Sequence, residues 1–138
     1  MFQVIDQLWV ILANGICAVY KDYTGLVKKQ ETINHIFAGF SVVICKMAEI
    51  LDKGHIRVIE LEKRSIHYFS QSPSHIIAVV TNTESKDEDV QEFLKNINHC
   101  LLETCNLENI TFIKHDDLVL FESRLDSLVG PQGRVNSS

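Results

Sequence analysis

Two of the six histidines, His67 and His75, flank a predicted turn at Pro73. A hairpin with its turn at this proline would bring their imidazoles toward each other, and neutral imidazole is a common zinc ligand. A zinc site needs three or four ligands, and no third one follows at a regular spacing. The pattern favours surface histidines at strand ends, and we predict no bound metal.

A second pair that could do chemistry is His99 beside Cys100, residue types that act as base and nucleophile in thiol enzymes. Both fall in a predicted helix, where successive side chains diverge by about 100°, so they do not face each other. GLVKKQ lacks phosphate-loop spacing, Gly-x-Ser-x-Gly is missing, and no carboxylates pair in an apolar setting. We predict no catalytic residue, no cofactor and a non-enzymatic protein.

The composition is that of one folded globular domain. With 138 residues the chain can bury a single core, and we assign residues 1–130 to one domain and 131–138 to a flexible tail. A net charge of -5 with scattered basic residues argues against nucleic-acid binding. No export signal is recognised, and no segment is expected to span a bilayer. The four cysteines match no zinc or redox motif, so we predict free thiols and a cytoplasmic location.

Local patterns predict eight elements in the order β-β-α-β-β-β-α-α. LWVILA and ICAVY flank Asn14-Gly15, which predicts a hairpin with a type I′ turn. A helical stripe runs from Thr32 to Asp52, with Gly54 as its left-handed cap. HIRVIELE, SIHYFSQ and HIIAVVTN read as strands, and SKDE as a capping box that opens a helix to about Glu103. Asp116 or Asp117 opens a last helix, which Gly130-Pro131 closes. The fold class is α+β: a five-stranded antiparallel sheet flanked by helices.

This order resembles the longin fold of the longin and roadblock group. The likeness rests on LWVILANGICAVY as the opening hairpin, INHIFAGFSVV as the start of the central helix, IRVIELEKRSIHYF as the middle hairpin, and IIAVVTNTESKDEDVQEFLKNI as the last strand and acidic helix start. It spans roughly Gln3 to Leu128. Roadblock proteins place a helix before the first strand, so the longin branch is preferred; the profilin-like and PAS builds are the related alternatives.

The resemblance implies a non-enzymatic module that forms homodimers or heterodimers with another longin or roadblock-type subunit. Such domains occur in vesicle-trafficking and tethering complexes and in platforms that hold or activate small GTPases. The implied location is cytoplasmic, peripheral to membranes through partners. No functional residue is shared across the group, so none is carried over to this chain.

The central helix is apolar or small on nearly all sides, which raises the question of what each side contacts. Its larger residues, among them Phe40 and Met47, are predicted to cover the sheet. The opposite side is predicted to meet a partner, most simply the same helix of a second protomer. That predicted interface consists of Ala38, Ser41, Val42, Cys45 and Glu49. The alternatives are an ordinary small-residue surface and assembly through an exposed sheet edge.

Two function classes therefore stay open. The first is an interaction and scaffold module for a small GTPase or trafficking complex. The second is a small-ligand sensor of PAS or profilin-like build, which an enclosed cavity of several hundred cubic ångströms would favour. Trp9 and Tyr20 are predicted to pack in the core or under the helix unless one of them anchors a partner. The acidic residues Asp87, Glu88, Asp89 and Glu92 attract a basic partner or simply form a solvated helix start.

Overall fold

The computed structural model describes residues 3–25, 31–82, 85–105, 114–130 and 134–135. The predicted order of eight elements is confirmed, and a short strand follows them. The elements are β1 (Gln3–Leu12), β2 (Cys17–Asp22), α1 (Glu31–Asp52), β3 (Val58–Glu60), β4 (Arg64–Phe69), β5 (His75–Asn82), α2 (Asp87–Thr104), α3 (His115–Leu128) and β6 (Arg134–Val135).

The five main strands form one antiparallel sheet in the order β2-β1-β5-β4-β3. β1 and β5 lie at its centre and pair from Ile5 opposite Thr81 to Leu12 opposite His75. β6 adds two residues beside Gln3 and Val4 at the start of β1. The segment assigned to a flexible tail, 131–138, thus contains a short strand whose backbone groups pair with β1.

The first hairpin is present, but its turn is not the predicted type I′. A type I′ turn requires positive φ at both Asn14 and Gly15. Gly15 has φ of 85°, but Asn14 does not have positive φ, because Lys53 is the only non-glycine residue with positive φ in the part of the chain that the structure describes. The Leu12 amide donates to the Ile16 carbonyl at 2.9 Å, which closes a three-residue loop. Gly15 takes the left-handed position of that loop, and the Asn14 side chain accepts from the Ile16 amide at 3.1 Å.

Helices cover both faces of the sheet, because alternate strand residues point to opposite sides. On β1, Leu8 and Val10 join a core with α2 and α3, whereas Trp9 and Ile11 join a second core beneath α1. Both layers are filled by buried side chains. The described part of the protein therefore has a helix–sheet–helix arrangement with two apolar layers.

The start of α2 differs from the predicted capping box. Lys86, not Ser85, is the N-cap residue, and its side chain makes no capping hydrogen bond. Ser85 instead donates to the Asn82 side chain at 3.2 Å, which connects the end of β5 to the start of α2. Asp87, Glu88 and Asp89 lie in the first turn, where negative charge is favourable to the helix dipole.

The end of α1 places a lysine where glycine was predicted to take the left-handed conformation. Lys53 has φ of 51° and donates its amide to the Glu49 carbonyl at 3.0 Å. A side chain with a Cβ atom is strained in this conformation, and glycine is not. We expect Lys53→Gly to raise the free energy of unfolding by about 0.5–1 kcal/mol in urea denaturation. Lys53→Ala keeps the Cβ atom and is the control, and an equal gain in both variants would contradict this explanation.

The length and composition of α1 correct the expectation that no segment could span a bilayer. Residues Ile33–Asp52 reach a mean hydropathy of 1.4 and are long enough to cross one. A signal sequence or the core helix of a soluble protein can have the same length and apolar composition. In the structure one side of α1 packs on the sheet, where the Ser41 and Tyr68 hydroxyls lie 2.9 Å apart.

Candidate interaction surface on helix α1

Helix α1 faces the sheet with the side that was predicted to face a partner. Ala38 and Ser41 are completely buried, and Cys45 is 6% exposed. The larger residues that were predicted to cover the sheet lie on the outside, with Phe40 48% exposed and Met47 47% exposed. The predicted orientation of the helix is therefore wrong, and so is the assignment of Ala38, Ser41 and Cys45 to an outer surface.

The physical reason for this orientation is the bulk of the sheet surface beneath α1. The Trp9 ring contacts Phe37 at a centroid distance of 4.3 Å and Tyr20 at 5.2 Å. With the Phe37 ring filling the space beside Trp9, the completely buried helix positions over the sheet are the small residues Ala38 and Ser41, since protein interiors are close-packed. Trp9 and Tyr20 thus pack against the covering helix, which was one of the two predicted outcomes.

Polar atoms under α1 also fix its orientation. The buried Ser41 hydroxyl is hydrogen-bonded to the Tyr68 hydroxyl on β4 at 2.9 Å. The Trp9 indole N–H donates to the Asn34 side chain at 3.1 Å. Buried polar groups are costly without such partners. Rotating the helix to bring its large residues inward would break both bonds.

The outward side of α1 presents a continuous row of large apolar side chains, between 47% and 78% exposed. We call this row the apolar stripe; it comprises Ile33, Ile36, Phe40, Val43, Met47, Ile50 and Leu51. Single exposed apolar residues are ordinary, but a contiguous patch of this kind marks an interaction site. The sequence pattern predicted these residues as one face of the helix, but the prediction that this face contacts the sheet was wrong.

Val42 and Glu49, the two remaining residues of the predicted interface, line a half-open cleft beside α1. This α1 cleft has a volume of about 260 Å³. Val42, Cys45, Lys46 and Glu49 form one wall, and Ser72, Pro73, His75 and Ile76 belong to the opposite side. Burial raises the pKa of the Cys45 thiol to about 11, so the thiol is protonated and unreactive near neutral pH. A partner role for Val42 and Glu49 stays a prediction.

His75, at the base of the cleft, is 1% exposed and hydrogen-bonded through both ring nitrogens. Its Nε2 lies 2.6 Å from the Asn98 side-chain oxygen, and its Nδ1 lies 2.6 Å from the Ser74 hydroxyl. Because an amide oxygen only accepts, Nε2 carries the hydrogen and Nδ1 accepts from Ser74. Burial lowers the His75 pKa below its ordinary 6.5, and the bond to Asn98 opposes this effect.

The lowered His75 pKa predicts a loss of stability on acidification. The unfolded chain binds a proton at higher pH than the folded chain, so the contribution is complete above about pH 6.5 and is lost below it. We expect the free energy of unfolding to fall by up to about 1 kcal/mol between pH 7.5 and 5.5 on this account. Urea titrations of His75→Gln should show a shallower pH dependence, whereas the exposed control His55→Gln should match wild type. Equal slopes in all three proteins would contradict the assignment.

His67 lies in a separate network at the start of α2. Its Nδ1 donates to the Asp87 carboxylate at 2.9 Å, and its Nε2 lies 3.0 Å from the Thr81 hydroxyl. Asp87 also accepts from Arg57 at 2.8 Å. The buried imidazole therefore joins β4, β5 and α2, and Asp87 is engaged within the fold. His67 and His75 are buried members of different networks, which corrects the prediction of surface positions.

Neither of the two sites considered for chemistry is assembled in the structure. No group of three or more potential metal ligands occurs among the residues that the structure describes. His99 is exposed and pairs with Glu103 at 2.8 Å, while Cys100 is buried and its pKa is raised by burial. All four cysteines are free thiols, as predicted.

The strand order, the two helical layers and the central α1 define the fold of the longin and roadblock group, which confirms the resemblance at the level of fold. A roadblock/LC7 domain from Streptomyces avermitilis is similar, with a TM-score of 0.54 and 13% identity over 73% of this chain and 88% of that one. The gliding protein MglB from Thermus thermophilus gives 0.50 and 14% identity over 67% and 71%. The same values hold for MglB in a tetrameric arrangement.

Sequence comparison gives no such relationship: no family model and no curated protein matches the chain. At these identities the similarity establishes the fold alone. The similar structures are roadblock and MglB domains, so they support the group and do not support the preference for its longin branch.

Proposed function

We propose that the protein is a non-enzymatic interaction module that dimerises through α1 and serves a small GTPase or a trafficking or tethering complex. The observation that carries the proposal is the apolar stripe. Seven large apolar side chains on one helix are left in contact with water by a domain whose two apolar layers are already filled. Covering such a surface is strongly favourable, because hydrophobic stabilisation scales with the apolar area removed from water.

The spacing of the stripe supports a second helix as its cover. Ile33, Ile36, Phe40, Val43, Met47 and Ile50 follow one another at intervals of three, four, three, four and three residues. This alternation is the seam of two helices that pack side by side. The stripe therefore has the pattern of a helix–helix contact over about five turns.

The same spacing supports a second copy of this chain. The intervals read the same in both directions, so an antiparallel two-fold pairing of α1 places Ile33 against Ile50, Ile36 against Met47, and Phe40 against Val43 of the second protomer. A two-fold interface has to be self-complementary, and this row satisfies that requirement. A related subunit with a similar stripe would form the heterodimer that the resemblance also allows.

Charge favours a protein over a membrane surface as the cover. Amphipathic helices that bind anionic membranes carry lysine and arginine on their polar face. Here Lys46 and Lys53 are offset by the exposed Glu49 and Asp52, and the whole chain carries a net charge of -5. Anionic lipid would repel such a domain.

The sheet offers a second route to assembly. β3 and β2 form the two edges of the main sheet, and an edge strand can pair with a strand of another protein. β3 comprises only three residues, Val58–Glu60, with Val58 and Ile59 half-buried. The edge can extend a dimer that α1 forms, but it offers far less apolar surface than the stripe.

The GTPase and trafficking roles rest on the group resemblance, and the cytoplasmic location belongs to the same proposal. An interaction module is favoured over a ligand sensor of PAS type, because such a sensor encloses its ligand within the fold, whereas the α1 cleft is open to the surface. The two sheet faces hold packed side chains where a sensor would hold its ligand.

Sedimentation of the purified chain over a concentration series tests the dimer. We expect a two-fold species at micromolar concentration that dissociates on dilution. A monomer at all concentrations would contradict self-association.

Affinity capture with the immobilised chain tests the partner. We expect recovery of a small GTPase that binds again as a purified protein and prefers one nucleotide state. Failure to recover one in either the GDP or the GTP state would contradict the GTPase role and leave the dimer unaffected.

A further inference from the structure

The α1 cleft carries two opposite charges on its helical wall. Lys46 and Glu49 both line it and both are exposed. Neither forms an ion pair with any residue that the structure describes. Residues three apart on a helix share a face, with Cβ atoms about 5–6 Å apart. The cleft thus offers one ammonium group and one carboxylate on the same face of α1.

The rest of the cleft is uncharged and partly apolar. Val42, Pro73 and Ile76 supply apolar surface beside the two charges. Cys45 and His75 lie deeper, and both ring nitrogens of His75 are already hydrogen-bonded. Burial favours the neutral form of each group. A ligand would therefore meet a neutral floor, an apolar wall and a charge pair at the mouth.

We propose that the cleft binds a free zwitterionic α-amino acid with an aliphatic side chain. The ligand carboxylate pairs with the Lys46 ammonium group, the ligand ammonium group pairs with the Glu49 carboxylate, and the aliphatic side chain packs against Val42, Pro73 and Ile76. Charge-assisted hydrogen bonds of this kind give orientation as well as affinity. The volume of about 260 Å³ suits a molecule of this size and is smaller than most drug-sized pockets.

The cleft is separate from the apolar stripe, so this inference goes beyond the proposed function. The helical residues of the cleft begin with Val42, and Cys45, Lys46 and Glu49 follow it by three, four and seven residues. This spacing places all four on one flank of α1, between the stripe and the sheet. In the proposed pairing the stripe, and not this flank, meets the partner helix. The occupancy of the cleft can be measured in the whole protein whether or not it dimerises.

An NMR titration of methyl-labelled protein with leucine tests the proposal. We expect saturable shifts at the Val42 and Ile76 methyl groups. Leucine amide lacks the carboxylate and N-acetylleucine lacks the ammonium group, so each should bind at least ~10-fold more weakly than leucine. Lys46→Gln and Glu49→Gln should each weaken leucine binding by ~10-fold, while Lys53→Gln, outside the cleft, should match wild type.

The matched ligands distinguish the proposal from its alternatives. Lys46→Gln should not weaken leucine amide further, because that ligand has no carboxylate to lose. The absence of saturable shifts up to the solubility limit of leucine would overturn the proposal. Equal affinity for leucine and its two derivatives would also overturn it, as the cleft would then recognise apolar surface alone. Tighter binding of a peptide that ends in leucine would overturn it in favour of a chain terminus.

Discussion

Phe40→Glu is expected to weaken dimerisation at least ~100-fold and to leave a monomer at micromolar concentration. Phe40 is central in the apolar stripe, and in the proposed antiparallel pairing it would lie against Val43 of the second protomer. In that proposed pairing the substitution would remove a large apolar contact and bury a carboxylate without a partner. A combined penalty of about 3 kcal/mol corresponds to this hundredfold change. Sedimentation equilibrium of the two proteins measures it directly.

The same substitution should leave the fold intact, because Phe40 is 48% exposed in the single domain. We expect the free energy of unfolding of the monomeric variant to lie within about 0.5 kcal/mol of a wild-type monomer. Leu102→Glu is the matched control, since Leu102 lies on α2 and is 54% exposed. It adds the same charge at an equally exposed apolar position away from α1. Dimerisation unchanged by Phe40→Glu and by Met47→Glu would rule out the stripe as the interface.

The order of elements could be predicted from the sequence because its signals are local. Asn14-Gly15 between two apolar runs indicates a hairpin, and apolar residues at helical spacing from Thr32 to Asp52 indicate a long helix. The predictions that were wrong concern the backbone conformation of single turn residues, which depends on the backbone around them. Gly15 alone takes positive φ in the first turn, and Lys53 occupies the left-handed position that Gly54 was expected to take.

The side of α1 that meets the sheet could not be read from the helix itself. A hydrophobic stripe predicts that some surface covers it, and in a single domain that surface is assumed to be the sheet. The choice depends on residues far away in the sequence, since Trp9 contacts Phe37 and the Tyr68 hydroxyl is hydrogen-bonded to Ser41. A helix with one face of small residues and one face of large apolar residues therefore indicates two contact surfaces, one within the domain and one outside it. The face of large apolar residues can be the one that contacts another molecule.

This reasoning gives the second large prediction: Ala38→Leu should lower the free energy of unfolding by about 2–3 kcal/mol. Ala38 is completely buried between α1 and the sheet, in the same layer as Trp9 and Tyr68. Three additional carbon atoms have no space there, and overpacking forces neighbouring side chains and backbone to shift. Urea denaturation of the monomeric Phe40→Glu background measures the effect without a contribution from dimerisation.

Val43→Leu is the control for this prediction, because it also enlarges an α1 side chain but on the exposed face, where Val43 is 58% exposed. Its free energy of unfolding in the same background should change by less than about 0.5 kcal/mol. Opposite results, with Val43→Leu destabilising and Ala38→Leu neutral, would mean that α1 meets the sheet with its large residues. The apolar stripe would then be part of the core, and the small-residue side of the helix would be the surface open to a partner.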